Sequence, residues 1–157
     1  MAYELDDVDR GILHALQQDA RNATIEEMAD RVGVSPSTVR DRIGDMEDAG
    51  VIEGYHPQVN YGAAGFDLHV LYLCRAPTGD RGDLAERVLD ISGVVEILEV
   101  LDSEQNVFVE AVETDSDHMA ATHDALVDAG LDVIQTEHVR RTFRQPFDHF
   151  GADVTDE

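Results

Sequence analysis

The stretch ATIEEMADRVGVSPSTVRDRIGDMEDAG, residues 23–50, decides how this chain is read. Thr24 and Glu27 have the T-x-x-E spacing of a capping box, which satisfies free N–H groups at a helix start. Ile25, Met28, Ala29 and Val32 then recur at helical spacing, and Gly33 stands where a left-handed residue ends a helix. Ser35 restarts the pattern as an N-cap, with Pro36 at the first helical position, where no N–H is needed. Val39, Ile43 and Met46 fall at i, i+4 and i+7 and form an inward stripe, and Gly50 follows the end. Two short helices joined at a glycine, the second opening on small hydroxylated residues, have the helix-turn-helix layout, whose second helix enters the DNA major groove. Three amphipathic helices in this length also fit a protein-interaction bundle. The tight Gly33-Val34 turn and the small polar helix start favour DNA.

The flanks complete the pattern. Upstream, LDDVDRGILHALQQDA (residues 5–20) places Val8, Ile12, Leu13 and Leu16 on one helix face, with Asp6 as N-cap and Asp7 and Asp9 in the first turn, where the helix dipole favours acids. Downstream, VIEGYHP (residues 51–57) reads as a short strand leading out, and the turn-prone NYGAAGF (residues 60–66) marks a boundary. Beyond it, strands are expected at Leu68–Arg75, Val94–Leu101, Asn106–Glu113 and Asp132–Phe143. Helices are expected at Asp80–Ser92 (Leu84, Val88, Ile91) and Ser116–Ala129 (Met119, His123, Leu126, Val127). Two β-α-β units of this size make a βαββαβ, ferredoxin-like domain, so the fold class is α+β. The expected organisation is a DNA-binding domain over 1–54, a connecting strand and hinge over 55–65, the ferredoxin-like domain over 66–150, and a frayed tail over 151–157.

Charge bears on the partner. The chain of 157 residues carries a formal net charge of −23. Residues 1–54 hold five arginines against thirteen acids, and residues 55–157 hold six against twenty-one, so both parts share the same charge density. All eleven basic residues are arginine. Uniform acidity without lysine resembles the proteins of halophilic archaea, since about 1 M salt shortens the Debye length to about 3 Å and screens self-repulsion. Cys74 is the single cysteine, inside an apolar run, which excludes a disulfide framework and a cysteine-based zinc site and reads as a small buried hydrophobe. The start lacks a signal-peptide pattern, and no apolar run approaches the ~18 residues of a membrane span, so a cytoplasmic protein is expected.

LDDVDRGIL at the start, NATIEEMADRVGVSPSTVRDRIGDMEDAGVIEGY through the reading head and YGAAGFDLHV at the hinge resemble the Lrp/AsnC family of transcription regulators, across nearly the whole chain. The resemblance implies a winged helix-turn-helix joined to an ACT-like ferredoxin fold, binding to double-stranded DNA, and dimers built through the C-terminal sheets with further assembly to octamers. It also implies control by an amino acid or related small molecule. One departure matters. The family's amino-acid sensors commonly carry Gly-x-x-Asp in the turn between the second and third sheet strands, at the ligand site between dimers. Here that turn is Leu101, Asp102, Ser103, Glu104, Gln105 and Asn106, without glycine and with Asn106 at the aspartate-like position. These six are the candidate effector contacts, and a plain hairpin loop is the alternative.

On a helical wheel with Val39, Ile43 and Met46 inward, Ser37, Asp41 and Asp48 point most directly outward and Thr38 and Arg40 flank them. The candidate DNA contacts are Ser35, Ser37, Thr38, Arg40, Asp41 and Arg42. Arg40 suits guanine or a phosphate, the hydroxyls suit base edges or phosphate, and Asp41 suits a cytosine amino group or is a solvated charge. Arg42 lies nearer the core edge and suits a phosphate or a neighbouring acid. Asp45, Glu47 and Asp48 trail where the groove wall recedes. An enzyme alternative is a siroheme decarboxylase, which shares this architecture; Arg140, Arg141, Arg144 and His149 cluster near the end, but VIEGYHPQVN lacks the arginine-rich run of those enzymes. Seven histidines are scattered, with His118 and His123 five apart, so no metal or other cofactor is expected.

Overall fold

A computed structural model describes residues 2–77, 83–101 and 104–150 of the chain. It divides into two units: one runs to Pro57 and takes in the segment from Phe143, and the other runs from Gln58 to Thr142.

The first unit is built from α1 (Asp7–Asp19), α2 (Ile25–Val32) and α3 (Pro36–Asp48). Each start has the cap residue expected of it, though the reciprocal box expected at Thr24 and Glu27 shows only its Thr24 half. Asp6 Oδ1 accepts the Asp9 N–H at 2.9 Å while Asp9 Oδ2 accepts the Asp6 N–H at 3.2 Å, a reciprocal box made by two aspartates. Thr24 Oγ1 accepts the Glu27 N–H and Ser35 Oγ accepts the Thr38 N–H. Gly33, at φ 74°, ends α2 in the left-handed conformation. Ile12, Leu13, Ala15, Met28, Ala29, Val39 and Met46 form the core, with Val8, Leu16, Ile25, Val32 and Ile43 packed around it. Residues 51–57 form no strand. Instead Val51 and Ile52 donate back to Met46 O, and Ile52 joins the core. With these bonds closing the end of α3, the segment has no neighbouring strand to pair with.

The second unit is a four-stranded sheet of order β2-β3-β1-β4, with every pairing antiparallel. Its strands are β1 (Leu68–Arg75), β2 (Val94–Glu99), β3 (Val107–Glu113) and β4 (Asp132–His138), with α4 (Leu84–Leu89) and α5 (Ser116–Asp128) as the crossovers. This is the expected βαββαβ arrangement. One face buries Val70, Tyr72, Cys74, Val107, Val109 and Ala111 against Leu84, Val88 and Leu126 of the helices. Burial pushes the Cys74 thiol up to about 12, as befits a buried hydrophobe. By strand alternation the opposite face carries Leu71, Leu73, Phe108 and Val112, half-buried, and the exposed Leu98.

The structure differs from the sequence reading at several points, among them the ends of β2, at Glu99 rather than Leu101, and of α4, at Leu89 rather than Ser92. β4 stops at His138 because β1 has run out: His138 pairs with Val70, and the Val139 N–H reaches His69 O as the last bond. The chain from Phe143 then returns to the first unit. There the Phe147 N–H donates to Gln17 Oε1 at 3.2 Å and Phe150 packs on the helical core, which removes residues 143–150 from the ferredoxin-like domain. In α5 the buried positions are Thr122 and Leu126, while His123 and Val127 face outward. The expected start of the first crossover helix (80–82) and the expected frayed tail (151–157) lie outside the described residues.

Candidate nucleic-acid interface

The N-terminal half of α3 presents a small polar face. Ser37, Arg40 and Asp41 are exposed and Thr38 is half-buried. The Ser35 and Thr38 hydroxyls bond each other at 2.9 Å, so both are pre-oriented at the helix start, beside N–H groups suited to an anionic oxygen. Arg40 reaches Glu26 of α2 only at 3.9 Å, with both side chains more than half exposed, a contact weak enough for a phosphate or base to replace. Asp41 makes no ion pair among the described residues. Asp45, Glu47 and Asp48 are exposed further along.

Arg42 stands apart from this face. Its Nη1 lies 2.5 Å from Asp6 Oδ2 and 3.2 Å from Asp9 Oδ1, at the start of α1. Of its two expected partners, phosphate or neighbouring acid, it meets the acid in this structure. The hydrogen bond that Arg42 donates to Asp6 raises the Arg42 pKa above its usual value. Asp6 in turn is lowered, first by the Asp9 N–H and then by Arg42. Asp9 is 1% exposed, and its carboxylate, after burial itself, raises the Tyr3 phenol. The spacing of α1 gave no sign that its acids would meet α3.

At the candidate effector turn, Asp102 and Ser103 lie outside the described residues. Leu101 is 84% exposed and Glu104 stands 4.0 Å from Arg75. Asn106 is buried, and its side-chain amide is committed to one backbone residue: Oδ1 accepts the Ala76 N–H at 2.7 Å and Nδ2 donates to Ala76 O at 3.1 Å. Asn106 therefore brackets the end of β1 like a missing strand partner.

A polar cluster that the sequence reading missed lies inside the sheet unit. Glu113, at the end of β3, is fully buried. It accepts hydrogen bonds from Tyr72 Oη (3.0 Å) and Thr122 Oγ1 (3.0 Å), and His118 Nδ1 lies 2.5 Å from its Oε2. The cluster explains why Thr122, rather than His123, turns inward from α5. The predicted inward period missed this because a threonine scores as a surface residue until its hydroxyl has a buried acceptor. The Tyr72 phenol is raised well above its usual range by burial and by Glu113.

Residues 5–53 match the family of winged helix-turn-helix DNA-binding domains. Over 101 residues the chain is 33% identical to the HTH-type transcriptional regulator AldR of Mycolicibacterium smegmatis, covering 63% of this chain and 57% of that one. The chain spans about half the length of the curated relatives it matches. Among solved structures, the leucine response regulatory protein LrpA of Mycobacterium tuberculosis superposes with a TM-score of 0.79 at 24% identity, covering 93% of this chain and 99% of that one. A transcriptional regulator from Neisseria meningitidis, solved as its L-Met complex, superposes with a TM-score of 0.72 at 24% identity, covering 91% and 94%. The chain is similar to the Lrp/AsnC regulators and has their fold.

With the Lrp-type fold in place, the remaining residues can be sorted. Arg140, Arg141 and Arg144 lie past the end of β4, exposed, and join no ion pair among the described residues. The ion-pair contact of His149 is its neighbour Asp148. The relatives matched are named as transcription regulators, so the siroheme decarboxylase alternative is not favoured. Among the described residues no group of three or more His, Cys, Asp or Glu is placed to hold a metal ion, and no helix is long and apolar enough to cross a membrane.

Proposed function

We propose that this chain is an Lrp/AsnC-type transcription regulator that reads double-stranded DNA through the first two turns of α3. The observation that carries this reading is the contrast within that helix. Val39 and Met46 are fully buried and fix it to the core, while Ser37, Thr38, Arg40 and Asp41 stand on the open side at the end that enters a major groove. Ser35 serves as the cap that orients Thr38 and supplies a phosphate-facing hydroxyl.

The uniform acidity and the exclusive use of arginine support a cytoplasmic, haloarchaeal protein working in concentrated salt. Counterion release then contributes little, and affinity rests on base contacts, shape fit and the avidity of a dimer. The sheet face of Leu71, Leu73, Phe108, Val112 and Leu98 supports pairing between copies of the chain, with higher assembly to octamers on the same plan. An amino acid or similar small molecule is the proposed effector. The Neisseria relative's L-Met complex supports the class, and Leu101, Glu104 and Gln105 with the adjoining 102–103 are the proposed contacts here.

Gel-shift titration of a selected operator across KCl tests the reading. Specific binding should persist at about 1–2 M KCl, with a log K against log salt slope shallower than a basic helix-turn-helix dimer shows. Complete loss above about 0.5 M would count against the high-salt adaptation.

A further inference from the structure

We propose that Arg42 is a positioning residue, which latches the middle of α3 to the start of α1 and thereby sets how the reading face is presented; this rests on the DNA-binding reading of α3 above. Two observations carry it. First, the hydrogen bonds close completely. Asp6 Oδ1 takes the Asp9 N–H, Asp9 Oδ2 takes the Asp6 N–H, and the remaining oxygens, Asp6 Oδ2 and Asp9 Oδ1, both take Arg42 Nη1. Every carboxylate oxygen of the α1 capping box therefore has a donor, and the donor completing it comes from the reading helix, 33 and 36 residues away. Asp9 is buried, so moving Arg42 toward DNA would strand an unpaired charge in the core.

Second, Arg40 and Arg42 are two residues apart on a helix, about 200° around its axis. They cannot both face one groove. Arg40 is the exposed member, loosely held by Glu26, and Arg42 is the one fixed to α1. The helix thus assigns its two arginines to separate tasks, one to the nucleic acid and one to its own orientation. A guanidinium suits the second task because it stays charged, and its one Nη1 meets both acids at once.

The test uses the full chain with Arg42→Gln, Asp6→Asn, the double variant, and Arg40→Gln for comparison. Asp6→Asn keeps a good N-cap and removes only the charge that Arg42 meets. Operator affinity is measured across salt, at a temperature where circular dichroism shows every variant folded. Arg42→Gln should weaken binding about tenfold with an unchanged salt slope, and the double variant should be no weaker than Arg42→Gln alone, because the two residues act as one unit. Arg40→Gln should instead lower the slope by about 1. A slope lowered by Arg42→Gln, additive effects in the double variant, or undiminished affinity would each overturn the latch. Residual dipolar couplings reporting the α1–α3 angle judge the latch without DNA: the angle should change in Arg42→Gln, and an unchanged angle overturns it. A wild-type chain that selects no DNA sequence defeats the regulator reading instead, so the two failures are distinguishable.

Discussion

Among the described residues, each unit of this molecule buries one carboxylate and holds it differently. In the helical unit, Asp9 is held by Arg42 and by a backbone N–H. In the sheet unit, Glu113 is held by two hydroxyls and an imidazole. The first arrangement uses a cation that stays charged at every accessible pH and joins two helices of the reading head. The second uses mostly neutral donors, closes the end of β3 over α5, and involves a cation only when His118 is protonated. The difference teaches where each unit needs rigidity: between helices in one, and within the layer between helix and sheet in the other.

The comparison breaks hardest at Glu113. Glu113→Ala leaves Tyr72 Oη, Thr122 Oγ1 and His118 Nδ1 without their shared acceptor, and should cost about 4 kcal/mol in denaturant unfolding of the sheet unit. A cost below about 1 kcal/mol would show that the cluster contributes nothing net. Arg42→Met should cost less, about 2–3 kcal/mol, because the guanidinium is partly exposed and one of the two acids it leaves, Asp6, is open to water while Asp9 stays buried. Its loss should appear in the helical unit's transition and leave the sheet unit's untouched.

The smallest effect concerns pH. Asp6 has a folded pKa below its ordinary value, so its contribution is fully present above the unfolded pKa of about 3.9 and is lost as pH falls through the lower folded value. The side chain is half exposed, which keeps the contribution under about 1 kcal/mol. Melting curves of wild type and Asp6→Asn should therefore converge as pH falls from 5 toward 2. A gap that stays constant over that range would mean that the Asp6 charge adds nothing to the latch.

These contrasts also mark what sequence alone made legible. Helix starts were readable because their signals are local: Asp6, Thr24 and Ser35 each cap a group three residues ahead. The place of β1 followed from its largely apolar run, and the βαββαβ arrangement from the alternation of strands and helices. What escaped was set by distant partners. Arg42 meets residues on another helix, Asn106 spends its amide on Ala76, and Thr122 turns inward only because Glu113 is there to accept its hydroxyl. The end of β4 escaped for the same reason: it is fixed by where β1 begins, not by its own composition. Residues 51–57 have strand-like side chains but no neighbour to pair with, and propensity does not supply one.

On the proposed function, the open face of α3 reads DNA sequence. Selection from a random double-stranded DNA pool by the full chain in molar KCl tests it most directly, run in parallel with Arg40→Ala and Asp41→Asn. The expected result is an enriched motif with two-fold related halves, whose preferred bases change at fixed positions in each variant. Enrichment of no motif at any salt concentration, or one motif unchanged by both variants, would contradict it.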